Sequence, residues 1–376
     1  MHKENIITFL RIISVIIFVY LFLVSIGLMG VAFKGFGEDF AKNLIKATSN
    51  PFIALFIGIL ATSIVQSSST VTSIVVGMVA SGVMTVRNAV PIIMGANIGT
   101  TVTAVLVSLG HISRRDEFRR AITGATVHDF FNIICVLILF PLDLTTGVLQ
   151  KLAVGMSSLF VNVGGVSFTS PIKLATKPAV NFIKSIFFNV FNLSKEAGYT
   201  LILFTSVIIL FFSLYFIVKL MKTLVVKKAE VVLNNVMGKN GLLCIMAGLI
   251  FTAFVQSSSI TTSLMVPLVA SGILTVETIF PITMGANIGT TVTAILASFA
   301  TGSVPAMTIA FVHFIFNTLG VFFIYPIPLF RSIPVRLAKW LGNIAYIKRR
   351  YAVIYVLTVF FIVPFLLIII SEFLRK

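Results

Sequence analysis

The chain has 376 residues, 58% of them hydrophobic and only 10% charged, with a mean hydropathy of +1.10. Soluble domains carry roughly 25% charge, so this composition excludes an ordinary soluble globular protein. The net charge of +17 does not point to nucleic acid, because the basic residues sit in gaps between apolar segments and not on a mixed polar and aromatic surface.

The apolar run from Ile6 to Met29 is too long for a cleavable signal and reads as a retained span over 6–30. From Phe52 to Leu109 the only charged residue is Arg87. Segment 51–82 carries Gln66-Ser67-Ser68-Ser69 near its middle. Each of its arms has about 13 residues, or about 20 Å of helix, short of a hydrocarbon core of about 30 Å. It is therefore expected to dip in and return as a re-entrant hairpin, with Asn50-Pro51 starting it and Ser81-Gly82 ending it. A span follows at 91–109, opening on Gly95-Ala96-Asn97-Ile98-Gly99-Thr100-Thr101, then the basic cluster Arg114, Arg115, Arg119 and Arg120.

The span 121–141 holds Cys135, His128 and Asp129. A connection at 143–199 has amphipathic stretches, notably Lys177 to Asn192, suited to lying on a membrane surface. A span at 200–220 leads into basic residues from Lys219 to Lys239. Segment 241–272 repeats the hairpin pattern with Gln256-Ser257-Ser258-Ser259 and ends at Ser271-Gly272. Spans at 281–301 and 304–326, a basic stretch at 331–350 that is either interfacial or a hidden crossing, and a span at 351–371 complete the chain. Cys135 and Cys244 both lie in apolar sequence and read as inert buried thiols.

Residues 62–104 align without gaps on 252–294, with 28 of 43 positions identical. A second echo pairs Val127-His128-Asp129-Phe130-Phe131-Asn132 with Val312-His313-Phe314-Ile315-Phe316-Asn317. Three crossings per unit place the second unit in the opposite sense. The expected fold is an all-α polytopic membrane protein of two inverted-topology repeats, each with a re-entrant helical hairpin. Its parts are a first repeat at 1–142, an external connection at 143–199, a second repeat at 200–328, and a basic interfacial segment with the last span at 329–376. The basic segments belong inside, which makes the N-terminus cytoplasmic and the expected location the plasma or inner membrane.

Hydroxyl-rich, helix-breaking tips in apolar sequence are costly unless they line a cavity or hold a ligand. Amides at a half-helix start suit an anion; hydroxyls, carbonyls and glutamine oxygens suit sodium. Gln66, Ser67, Ser68, Ser69, Gln256, Ser257, Ser258 and Ser259 are therefore the expected anion site. With no Arg or Lys in either hairpin, co-bound cations must offset the anion's charge. A single membrane Ser or Thr most often bonds back to its own helix, but the duplicated tetrapeptide favours a binding site. Gly95 and Gly99 are spaced for helix packing, whereas Asn97 and Asn287 with their threonines favour a broken helix facing the anion. Asp129, the lone acid inside a span, reads as a cation ligand or proton site, with an ion pair to Arg120 the lesser alternative. His128 and His313 read as hydrogen-bonded structural residues before proton relays.

These motifs, together with Phe118-Arg119-Arg120-Ala121 and Gly124-Ala125-Thr126-Val127-His128-Asp129, resemble the type II sodium-dependent phosphate cotransporter family over about 50–142 and 240–320. The resemblance implies sodium-coupled symport of inorganic phosphate by alternating access. It implies phosphate between the two tetrapeptides and one sodium site at Gln256, Ser257, Ser258, Thr100, Thr290 and Thr293. A second sodium site would take Asp129 and Asn132. Members with that Asp move net charge, so electrogenic transport is implied. Two features depart from vertebrate relatives: Ser113-Arg114 stands where they have Gly-Asp, and the external connection has no cysteine.

The resemblance implies no cofactor other than sodium as the coupling ion. Alternatives are sodium-coupled transport of a dicarboxylate or sulfate, and, further off, an anion channel. No Ser-His or paired-acid spacing suits an enzyme.

Overall fold

The structure, a computed structural model, describes residues 2–161, 170–236 and 240–373, and side chains over 5–160, 170–224, 240–371 and 373. The described residues are helical with no strand. Seven helical segments among them are long and apolar enough to cross a membrane. They are Asn5–Gly35, Val86–Leu109, Arg115–Thr146, Lys195–Leu224, Val276–Thr301, Val304–Ile324 and Arg350–Ser371, so each expected span has its helix.

The first span lies in α1 (His2–Gly35). The amphipathic α2 (Gly37–Ala47) buries no residue and meets α3 (Pro51–Val65) at a bend of 97°. Asn50 caps α3, its Oδ1 accepting from Phe52 N at 2.9 Å and Ile53 N at 3.4 Å, with Pro51 in the first turn. After the break at Gln66-Ser67 comes α4 (Ser68–Ser81), closed by Gly82 at φ 83°. Next are α5 (Val86–Gly99), α6 (Val102–Leu109) and α7 (Arg115–Thr146).

The connection holds α8 (Val148–Val161) and α9 (Pro171–Ser185), the latter continued by a π-helical turn over Ile186–Val190. The expected amphipathic stretch is thus helical; residues 162–169 lie outside the described residues. The basic region after residue 219, expected as a connecting loop, is helical as far as Val236, where α10 (Lys195–Val236) ends; residues 237–239 lie outside the described residues. The second half repeats the first with α11 (Gly241–Val255), α12 (Ser258–Ala270), α13 (Val276–Thr301) and α14 (Val304–Ile324). Last come α15 (Pro328–Ile347), α16 (Arg350–Leu357), a π-helical turn over Thr358–Ile362, and α17 (Val363–Phe373). Over 331–350, α15 is amphipathic and is not among the helices long and apolar enough to cross a membrane.

One seam recurs at an offset of 190 residues. A Cβ placed on Gly95 would lie 2.0 Å from Leu55 O, and one on Gly285 would lie 1.9 Å from Ile245 O. Gly99 meets Ile59 O, and Gly289 meets Leu249 O, in the same manner. The glycines therefore let α5 press its backbone onto α3, and α13 onto α11. The expected broken helix appears once only. Thr100-Thr101 interrupts the first copy between α5 and α6, while the identical second copy runs unbroken through α13. The sequence is the same, so tertiary surroundings decide. The Thr100 hydroxyl receives a bond from Ser68, whereas Thr290 bonds back to Ala286 O in the ordinary helical manner.

Candidate functional site

Both tetrapeptides begin on a left-handed residue. Gln66 has φ 56° and Gln256 φ 60°, and each ends its helix with a backbone N–H to Thr62 O or Thr252 O at 2.7 Å. Left-handed backbone in a residue with a Cβ costs about 1–2 kcal/mol, so the tips are held by their surroundings. The following Ser restarts the chain as a helix. Ser67 Oγ accepts from Thr70 N at 3.2 Å, and Ser257 Oγ accepts from Ile260 N at 3.4 Å. The first-turn amides of α4 and α12 lack helical acceptors by construction.

The two tips touch. Ser69 Oγ donates to Gln256 O at 3.3 Å and lies 3.4 Å from Thr293 Oγ1, which donates to Gln256 Oε1 at 2.7 Å. Gln256 Nε2 donates to Ala253 O. Around the contact is a cavity of about 250 Å³, below the roughly 300–1,000 Å³ of pockets for drug-sized ligands. All eight residues of the two tetrapeptides line it, with Thr70, Thr100 and, from α10, Phe211, Leu214, Tyr215 and Val218. No charged side chain lines it. Two helix starts, each worth roughly half a positive charge, converge there with hydroxyls and carbonyls. That set can hold a small anion together with a hard cation.

The remaining expected residues divide. Thr100 and Thr293 belong to the cavity region: Thr100 lines it, and Thr293 bonds to Gln256. Asn97 and Asn287 do not line the cavity. They form a buried network behind it, in which each His reaches the Asn of the other repeat. His128 Nε2 donates to Asn287 Oδ1 at 2.6 Å, and His313 Nε2 lies 3.4 Å from Asn97 Oδ1. Asn132 joins the halves, accepting from Asn287 Nδ2 and donating to Asn97 O, both at 2.6 Å.

Asp129 is fully buried; Tyr355 donates to its Oδ2 at 3.2 Å, and its Oδ1 accepts no hydrogen bond among the described residues, the nearby Thr101 hydroxyl donating to Ile98 O at 2.8 Å. The alternative ion pair with Arg120 does not form, since Arg120 Nε donates to Ala270 O at 2.7 Å. Phe211 and Tyr215 carry no sequence signal for the cavity, since an aromatic residue in an apolar span looks the same whether it faces lipid or a ligand. Tyr355 lies in the last span, outside both repeats, and carries no motif.

A family model described as Na+/Pi-cotransporter matches residues 21–168 and 209–325. The chain is 34% identical to sodium-dependent phosphate transport protein 2B of Homo sapiens and 36% identical to that of Bos taurus, in each case across 94% of this chain and 64% of the relative. It is 34% identical to sodium-dependent phosphate transport protein 2A of Rattus norvegicus, across 94% of this chain and 66% of the relative. The chain thus spans a little under two thirds of the length of these relatives. No solved structure matches it.

Proposed function

Since the chain belongs to the Na+/Pi-cotransporter family, we propose that it is a secondary active transporter that carries inorganic phosphate into the cell together with sodium, by alternating access. The observation that supports this best is the cavity bounded by both tetrapeptides and by the starts of α4 and α12. Phosphate would sit between the tips, taking hydrogen bonds from the serine hydroxyls and first-turn amides. Asn97 and Asn287 would support the helices behind the anion.

Sodium would be bound where oxygens gather without a competing cation. Gln256, Thr293 and Ser69 supply one such group; Thr290 lies one turn before Thr293 on α13, and Ser257, Ser258 and Thr100 line the same cavity. Asp129 and Asn132 would supply a second. Two helix starts offset about one charge of the anion, so sodium must supply the rest. If Asp129 binds a sodium, net positive charge moves inward, gaining about 2.3 kcal/mol per charge across 100 mV.

We read each pair of short helices, α3 with α4 and α11 with α12, as a re-entrant hairpin, and the two halves as inverted repeats. The fifteen residues of α3 rise only about 22 Å, which supports that reading. Basic segments at 110–120 and 331–350 favour a cytoplasmic N-terminus. The test is uptake of radiolabelled phosphate into proteoliposomes under an inward sodium gradient. Uptake should collapse when potassium replaces sodium, and unlabelled sulfate or succinate should compete poorly. Sodium-independent uptake, or stronger competition by either anion, defeats the proposal.

A further inference from the structure

The helix α15 presents three faces. Pro334, Val335, Ala338, Leu341, Gly342 and Ala345 are buried, and the approach to α7 is so close that a Cβ on Gly342 would meet Thr123 Oγ1 and Arg119 O. A second stripe is apolar yet exposed, with Ile333 36%, Trp340 58% and Ile347 69% accessible. The third stripe is Ser332, Arg336, Lys339 and Asn343. A helix with one face on protein, one apolar and uncovered, and one basic lies in the interfacial plane of a bilayer.

Beside the basic stripe is a cavity of about 410 Å³ between α15, the start of α13 and the end of α14. Three cationic side chains line it, Arg331, Arg336 and Lys339, against one carboxylate, Glu277. Lys339 pairs with Glu277. The Arg331 guanidinium packs 5.2 Å from the Tyr325 ring centre, and neither Arg331 nor Arg336 has an ion pair among the described residues. Phe280, Pro281 and Val335 give the cavity an apolar floor.

We propose that this cavity binds the headgroup of an anionic phospholipid, with Arg331 and Arg336 on its phosphodiester and the acyl chains continuing along the exposed apolar stripe of α15. Guanidinium suits a phosphodiester by its forked donors. The depth is right as well, since the headgroup level is where a tryptophan such as Trp340 settles. The site is separate from the tip cavity and does not depend on what is transported.

Trp340 is the only tryptophan in the chain and stands one helical turn from Arg336, so its fluorescence reports on this place alone. The full chain is reconstituted in phosphatidylcholine vesicles doped with brominated phosphatidylglycerol or brominated phosphatidylcholine, and quenching is compared. The anionic lipid should quench with an association constant higher by about fivefold or more, as expected for even one basic side chain at a charged membrane surface. Arg331→Gln with Arg336→Gln should bring the ratio to about one. Arg87→Gln with Lys151→Gln, at the other end of α7 beside a different cavity, should leave the wild-type ratio intact. Equal quenching by both lipids in the wild type, or an unchanged ratio in the Arg331/Arg336 variant, overturns the proposal. So does a loss as large in the Arg87/Lys151 variant, or removal of the preference by millimolar inorganic phosphate, which would make the ligand a free oxyanion.

Discussion

The Ser69 hydroxyl donates to the backbone carbonyl of Gln256 at 3.3 Å, joining segments 187 residues apart. Its repeat mate, Ser259, makes no corresponding bond to Gln66, which is exposed. Two identical tetrapeptides therefore stand in unequal surroundings. The second glutamine is fastened to Thr293 and Ala253 and the first is free to meet a ligand. Ser69→Ala should raise the sodium concentration for half-maximal uptake by about tenfold, the value of a hydrogen bond of about 1.5 kcal/mol at an ionic site. Ser259→Ala should raise the half-saturating phosphate concentration and leave sodium activation nearly unchanged. Titration of each ion in proteoliposomes separates the two, and identical shifts in both variants would contradict the asymmetry.

The glycine seam makes a prediction about stability. Gly95→Ala and Gly285→Ala each place a methyl group within about 2 Å of a carbonyl oxygen on the facing helix. Neither backbone can yield without parting the helices, so the cost should exceed the usual overpacking range of about 1–3 kcal/mol. Gly155→Ala, with nothing within 4 Å of its added carbon, should be neutral or slightly stabilising by helix propensity. Size-exclusion profiles and melting in detergent should show the two seam variants aggregated and Gly155→Ala intact.

Composition made the spans readable: seven apolar stretches gave seven helices, and Asn50, Pro51 and Gly82 marked helix ends where local chemistry alone fixes them. The tetrapeptides coincide with helix breaks, where each glutamine takes left-handed backbone and the serine after it caps the next helix. What the sequence did not carry was anything decided by a neighbour distant in the chain. Tyr215 and Phe211 line the cavity only because α10 packs across it. The same heptapeptide bends at Thr100-Thr101 and runs straight at Thr290-Thr291. The histidines read as structural in sequence, yet nothing local announces their crossed pairing with the asparagines of the other half, which arises only when the two halves pack.

That crossed pairing is unequal and should be felt unequally. Asn287 serves His128 and Asn132, each at 2.6 Å, whereas Asn97 meets His313 at 3.4 Å. Asn287→Leu strands two buried polar groups at about 1–3 kcal/mol each, so it should destabilise strongly. Asn97→Leu removes the long His313 contact and the Nδ2 bond to Ile93 O at 2.8 Å, but that carbonyl lies one helical turn back on α5, where a backbone N–H also serves it, and the bond from Asn132 goes to the Asn97 backbone, so it should cost less than half as much. Thermal melting of both variants in the same detergent checks the order, and an equal or reversed order would show that the crossed bonds are not what holds the repeats together.

Asp129 and Tyr355 join α7 to the last span, and under the proposed function this pair bears on charge movement. The carboxylate is wholly buried, one oxygen takes the Tyr355 hydroxyl at 3.2 Å, and the other accepts no hydrogen bond among the described residues, the neighbouring Thr101 hydroxyl donating instead to Ile98 O. A buried acceptor left open in this way is suited to a cation that comes and goes. Asp129→Gly should abolish net charge transfer while phosphate uptake persists at a reduced rate. Tyr355→Phe removes the competing donor without moving the acid. It should keep electrogenic transport, tighten sodium activation by a few fold, and slow turnover because the cation leaves a deeper well. Current and tracer flux measured on the same proteoliposomes distinguish these outcomes. Unchanged current in Asp129→Gly would remove the acid from the coupling step, and loss of current in Tyr355→Phe would show that the hydroxyl is itself part of the cation site.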